Sequence, residues 1–300
     1  MGSPNRPLNP RRIAVLAVNT FTQLVRMKVF YFLGIFFVIA IAANFLDLPT
    51  HSAPESAGIG VLYAIKNTCI GLMSMFSLVL AIVATGLLLP KDAEDRTLYT
   101  ILAKPVPRLD YLLGKLLGIT ALILVSLLVM DLLMTAILTV RTNQVVESQQ
   151  QMGEAMGYSA EMMAQVEQET RALGPSWNLQ GAVAVVFMRS VVMASVALLL
   201  STFSTSTLFT AIVGFLVLFV GFFQADAREF YFSGTGMLGR LGSAVMSIAL
   251  PDLQIYNVID AVIEGKLLTA ASLLKVAAVT LFYFVLYTFA SWLIFSRKEF

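Results

Sequence analysis

Six stretches of this chain, 29–46, 67–89, 112–140, 179–202, 208–223 and 274–295, are almost wholly apolar. About 20 such residues in a helix cross the hydrocarbon core of a bilayer. Lipid offers the backbone no hydrogen-bond partner, so each crossing segment is expected to be helical. Composition agrees: 58% of the 300 residues are hydrophobic and 13% are charged, against about 25% charged in a soluble domain. The mean hydropathy is +0.83. The expected fold is an all-α integral membrane protein, a single transmembrane domain over 1–300 with six transmembrane helices. The fifth span is the shortest and has the softest boundary.

Several function classes lose support at once. A net charge of +2 gives no ground for a nucleic-acid partner. Cys69 and His51 each stand alone, so no intrachain disulfide forms and no His/Cys metal centre is expected within one subunit beyond that single pair. No H-E-x-x-H and no Ser/His/Asp arrangement exists, and no catalytic residue or chain-bound cofactor is expected. A phosphate-binding G-x-x-x-x-G-K-[ST] is also missing, because Leu116 follows Gly114-Lys115 and Leu267 follows Gly265-Lys266. The glycine-rich 234–242 follows no strand and reads as a flexible turn. A secretory signal is not expected: the first apolar block starts near Val29, and AIA at 40–42 only imitates a cleavage site. Arg6 stands where N-myristoylation needs Ser or Thr.

An even number of spans puts both termini on one side. That side holds Arg6, Arg11, Arg12, Arg26, Lys28, Lys91, Arg96, Lys104, Arg108, Lys115, Arg297 and Lys298. The other holds Lys66, Arg141, Arg171, Arg228, Arg240, Lys266 and Lys275, spread over a much longer stretch of chain. The positive-inside rule therefore predicts cytoplasmic termini and a cytoplasmic 91–108 loop, in the cytoplasmic (inner) membrane.

Outside the spans, three segments carry helical signals. In 11–28, Ile13, Leu16, Ala17, Phe21 and Leu24 form a stripe opposite Arg12, Asn19 and Arg26. This predicts an interfacial amphipathic helix, or a cytoplasmic extension of the first span. The extracytoplasmic segment 141–178 is polar, and Met152, Met156, Ser159, Met163 and Val166 predict one amphipathic helix in it. Met152, Met156, Met162 and Met163 offer thioethers that suit Cu(I), but methionine is also an ordinary stripe residue, and no metal site is expected. In 224–273 the apolar run 241–250, closed by Pro251, is too short to cross and predicts a re-entrant or interfacial piece before the last span.

The 91–108 loop is the most specific stretch. Five acidic or basic groups fall between Lys91 and Arg96, and Pro90, Pro105 and Pro107 punctuate the region. Pro90 is expected to close the second span, leaving Asp92, Glu94 and Asp95 at the N-terminus of a new short helix. Leu98, Ile101 and Leu102 share one face, Lys104 lies in the last turn and Pro105 stops the helix. About three turns are marginal alone in water, so the apolar face rests on the membrane surface or on a second protein.

The pattern Glu94-x-Arg96-Thr97, Leu102, Lys104-Pro105-Val106, Arg108, then Gly114-Lys115, resembles the loop between the second and third spans of ABC-2 type transporter permeases. The opening RRIAVLAVNTFTQLVRMKVFYFL and the PDLQIYNVIDAVIEGK before the last span are similar to that family too. The resemblance implies that the short helix is a coupling helix seated in a cleft of a separate cytoplasmic ABC ATPase subunit, where ATP and Mg would bind. It also implies a second copy of the permease, as a homodimer. Leu98, Tyr99, Ile101 and Leu102 would then fill the cleft, with Glu94, Asp95, Arg96, Thr97, Lys104, Pro105 and Arg108 completing the ATPase-coupling surface. The function implied is ATP-driven export, or mechanical or assembly work in the membrane without a diffusing substrate.

Two intramembrane charges stand apart. Asp131 and Arg189 lie inside expected spans, where a charge costs about 2.5–3.5 kcal/mol on insertion scales. They are expected to pair or to line an outer vestibule, or else to sit near the interface. Asp131 also admits a different class of function, a stand-alone ion-coupled transporter. STFSTSTLF, 201–209, has six hydroxyls in its first seven residues and predicts a tight turn whose side chains satisfy the backbone.

Overall fold

The computed structural model describes residues 9–27, 31, 34–35, 38–39, 59–94, 106–204, 206–224, 250–263 and 265–297, with the backbone alone over 89–94. Every regular element among them is helical. In chain order these are α1 (Pro10–Val25), α2 (Ile59–Glu94), α3 (Arg108–Met156), α4 (Ala160–Ala172), α5 (Trp177–Phe203), α6 (Thr207–Phe222), a 3-10 turn (Gln254–Asn257), α7 (Val258–Ile263) and α8 (Ala270–Arg297). Helices α2, α3, α5 and α8 are long and apolar enough to cross a membrane, and α6 is apolar but shorter. The protein is therefore membrane-embedded. Most of the expected first span lies outside the described residues, although Tyr31, Gly34, Ile35, Val38 and Ile39 are helical.

Helix α5 is the centre. Its residues from Arg189 to Leu198 are all buried, which a helix achieves only when neighbours surround it. Helices α2, α3, α6 and α8 supply those neighbours. With little hydrophobic drive between helices inside lipid, close packing and interhelical hydrogen bonds hold such a bundle. Ser190 Oγ, for example, donates to Val186 O at 2.9 Å and meets Ser77 Oγ of α2 at 2.8 Å. Gly214 lets α6 approach α2 so closely that a Cβ there would lie 2.8 Å from Ile82.

The stripe on α1 is where the sequence puts it, but it packs on protein. Ile13, Leu16, Ala17 and Thr20 face the first turns of α3. Two glycines one turn apart make room: a Cβ on Gly114 would stand 2.5 Å from Leu16 Cβ, and one on Gly118 would stand 2.7 Å from Ala17 O. Arg12 joins this interface rather than the opposite face, its Nε 3.1 Å from Oδ2 of the fully buried Asp110. Arg12–Asp110, Leu16–Gly114 and Thr20–Gly118 advance in step, so the two helices run side by side in the same direction.

The hydroxyl-rich turn forms as expected. Ser201 Oγ and Thr202 Oγ1 donate to Leu198 O and Leu199 O at 2.8 and 2.6 Å. Ser206 then caps α6 by accepting from Phe209 N at 3.4 Å.

Three boundaries differ from expectation. Helix α2 continues through Pro90 to Glu94. A proline removes one backbone donor, and near a helix end this does not stop the remaining turn. Asp92 and Glu94 therefore sit at a helix C-terminus, not at the start of a new helix. Helix α3 does not end at 140 but runs for 49 residues, about 70 Å, because the Gln, Glu and Met after Val140 are good helix formers. It ends at Gly157, whose φ of 72° makes the left-handed cap. The amphipathic stripe of 141–178 is accordingly split between two helices. Helix α4 folds back on α3, Thr170 Oγ1 donates to Gln149 Oε1 at 2.6 Å, and Met152, Met156, Met162 and Met163 line a cavity of about 220 Å³ between them. Lys66, expected in a loop, is inside α2 and only 5% exposed.

Gly118→Leu will separate α1 from α3. Overpacking of this kind costs about 1–3 kcal/mol, read as a lower thermal unfolding midpoint of the detergent-solubilised protein. Gly71→Ala, where an added Cβ meets nothing within 4 Å, will leave the midpoint unchanged or raise it.

Candidate functional site around Arg189

The site is built on a helix that stops early. Helix α6 has 16 residues, about 24 Å, and ends at Phe222 inside the bundle. Its last carbonyls have no intrahelical partner and need donors. Segment 250–254 provides them: Leu253 N donates to Gly221 O at 3.0 Å and Gln254 Nε2 to Phe222 O at 2.9 Å. Only glycine at 221 permits this, because a Cβ would lie 2.9 Å from both Pro251 O and Leu253 Cδ1. Asp252 Oδ1 accepts from Gln254 N at 3.1 Å, which turns the chain into the 3-10 segment. Tyr256 OH and Thr280 Oγ1 share a hydrogen bond of 2.8 Å, and Tyr283 OH donates to Leu250 O at 3.2 Å, so α8 holds the segment in place.

Arg189 faces this junction. It lies 12 residues into α5 (189 − 177), about 18 Å along the axis. The residue is 6% exposed. Its Nη2 donates to Ser74 Oγ of α2, its guanidinium stands 5.5 Å from the ring centre of Phe222, and its buried Nε has no hydrogen-bond partner. The nearby C-terminus of α6 adds negative potential that favours a cation. Beside Arg189 is a cavity of about 230 Å³, lined by Asn67, Ser74, Tyr256, Asn257 and Asp260 among others. Asp260, on α7, acts electrostatically on Arg189 across this space. Both Asp260 and Asn257 are exposed, so they form the rim and Arg189 the floor. A second opening of about 320 Å³ adjoins it and shares Asn67, Asp260 and Ile263. A guanidinium carries five N–H donors in a fixed fork. With one hydrogen bond and one ring contact, this one is equipped to take an anionic or strongly polar acceptor.

Asp131 and Arg189 do not pair. Asp131, on α3, lies near Gln180 of α5, whose Nε2 reaches Thr135 Oγ1 at 3.5 Å, and the buried Oδ1 of Asp131 has no hydrogen-bond partner. Gln180 and Arg189 are nine residues apart on one helix (189 − 180), about 13 Å, so the two charges lie at different depths. Arg189 instead uses α2 and the 250–263 segment. Of the expected coupling residues, Asp95, Arg96, Thr97, Leu98, Tyr99, Ile101, Leu102, Lys104 and Pro105 lie outside the described residues, and Glu94 is the last residue of α2. Arg108 opens α3, and its Nη1 donates to Phe295 O at 2.7 Å and Ser296 O at 2.6 Å, closing the end of α8. Lys115 is 3% exposed, with its ammonium 5.7 Å from the Tyr111 ring centre.

Sequence reasoning missed Ser74, Phe222, Tyr256, Asn257 and Asp260 as neighbours of Arg189. A signal existed in the polar letters of PDLQIYNVID, which carry Asp, Gln, Tyr and Asn into a region otherwise apolar. No family model matches the chain, and no curated protein matches it.

Exchanging the two intramembrane charges will not rescue function or stability. In a cycle of Asp131→Arg, Arg189→Asp and the double variant, the coupling will stay below about 0.5 kcal/mol, measured by thermal unfolding. Ser74→Ala combined with Arg189→Gln will be non-additive, because those two side chains do touch.

Proposed function

We propose that this chain is a six-span, ABC-2 type permease subunit of an ATP-driven exporter. It works as a homodimer, both termini are cytoplasmic, and a separate ABC ATPase subunit binds and hydrolyses ATP with Mg. The residues that carry the reading are the motif from Glu94 to Lys115. Its supporting geometry is the way the ends of that motif are tied to the bundle. Glu94 closes α2 and Arg108 opens α3, so a force on the intervening segment acts on two long helices at once. Arg108 also grips the terminal carbonyls of α8, and Asp110 with the Gly114–Gly118 face carries α1. Four helices thus meet at one end of the bundle, next to the segment that would take the ATPase. Close-packed elements joined this way move as rigid bodies rather than deform. The short helix would supply affinity through Leu98, Ile101 and Leu102, and register through its charged residues.

The test is co-purification of the permease with its ABC ATPase subunit. Burying a leucine contributes about 1.5–3 kcal/mol, so Leu98→Asp with Leu102→Asp will weaken the complex by about two orders of magnitude or more. The ATPase will be lost from the purified assembly, whereas Met162→Gln, on α4, will leave it bound. Retention of the ATPase by the double variant, with hydrolysis at the native rate, overturns the reading.

A further inference from the structure

We propose that the cavity above Arg189 is a binding site for a zwitterionic ligand, which places its phosphate or carboxylate on the guanidinium and its cationic nitrogen toward Asp260. The cation is built in. Arg189 is 6% exposed, lines the cavity, and leaves its Nε buried without a hydrogen-bond partner. An arginine so deep is costly unless its donors are used. Ser74 takes one donor, and the Phe222 face takes none. Planar guanidinium N–H groups match the oxygens of a phosphate or carboxylate, and such charge-assisted bonds are about twice as strong as neutral ones.

The rim decides which anion is admitted. Asp260 is exposed at the mouth, and a ligand reaching Arg189 passes it. A simple anion gains at the floor and loses at the rim. A ligand with a cationic nitrogen a few ångströms from its anionic group gains at both. Asn67, Asn257 and Ser74 add uncharged polar groups between the two charges, and Tyr63 and Ile263 give the outer opening partly apolar walls. The volumes of about 230 Å³ inside and 320 Å³ at the opening suit a headgroup-sized molecule. The shared chemistry has two sources, the headgroup of a phospholipid bearing an amine and a soluble zwitterion. The site needs no ATPase, so it stands or falls apart from the permease reading.

The experiment uses the full chain in detergent with three soluble probes: glycerophosphoethanolamine, glycerol 3-phosphate and ethanolamine. Glycerophosphoethanolamine is expected to raise the unfolding midpoint with a saturable dose dependence, glycerol 3-phosphate to do so more weakly, and ethanolamine not at all. Removing the charge-assisted partner in Arg189→Gln will weaken binding by about tenfold or more. Asp260→Asn changes only an exposed side chain and leaves folding intact. It will reverse the preference, so that glycerol 3-phosphate gains and glycerophosphoethanolamine loses. Nanodiscs then separate the sources. Retention of phosphatidylethanolamine over phosphatidylglycerol through delipidation, counted by native mass spectrometry and abolished in Arg189→Gln, assigns a lipid, and soluble binding without lipid retention assigns a free zwitterion. The proposal is overturned if no probe shifts the native protein, or if Asp260→Asn leaves the probe preference unchanged. Either result means that Arg189 and Asp260 simply answer each other across a water-filled space.

Discussion

The end of a helix leaves backbone carbonyls without intrahelical partners, and one such end organises the middle of this bundle. Helix α6 stops at Phe222 after 16 residues. Gly221 and Phe222 then receive their donors from Leu253 and Gln254, which forces segment 250–254 into the bundle and not over its surface. Once there, the 3-10 turn and α7 continue at the depth of Arg189 and bring Tyr256, Asn257 and Asp260 with them. An irregular backbone at membrane depth is tolerated where protein encloses it or where it lines a cavity. Here it does both. The polar cavity is a consequence of the short helix, and the arginine is the residue that profits from it.

The opposite end of the bundle solves a different problem by close contact. Gly114 and Gly118 remove side chains from one face of α3, so the backbone of α1 lies against it. Small residues one turn apart favour such approaches within membranes. One turn before Gly114, α3 carries the buried Asp110, whose charge is met by Arg12 at 3.1 Å. One residue pair before Asp110, Arg108 satisfies two carbonyls of α8. The first turns of α3 therefore fasten the beginning and the end of the chain to each other. A surface amphipathic helix held by lipid alone would leave α1 free to drift relative to α3, whereas here α1 is part of the bundle.

Much of this was legible in the letters and some was not, for identifiable reasons. Apolar runs mark α2, α3, α5, α6 and α8 to within a turn or two at most ends, because burial in lipid leaves composition no freedom. The stripe Ile13, Leu16, Ala17, Phe21, Leu24 marks the buried face of α1. What it rests on is not encoded in periodicity, since membrane surface and protein surface reward the same pattern. The extension of α3 to Met156 leaves no mark in hydropathy, which falls after Val140, although Gln, Glu and Met continue a helix readily. Pro90 is the complementary case: a breaker near a helix end costs one hydrogen bond, not the helix. Hydroxyls at 201–207 gave the turn correctly because their role is local.

Asp131 and Arg189 do not pair because they lie at different depths in the bundle. With α3 running from Arg108 and α5 from Trp177, Asp131 lies level with Gln180, about 13 Å from Arg189 along α5. Arg189 then bonds the hydroxyl that its own depth provides, whereas Asp131 Oδ1 is buried without a hydrogen-bond partner. Two opposite charges in neighbouring spans are thus not evidence of a pair. Their separation along the helices decides it, because a buried ion that misses its partner by two turns gains almost nothing from it and must be stabilised by whatever stands beside it. For Arg189 that neighbour is the polar segment capping α6, which ties the fate of this charge to the early end of one short helix.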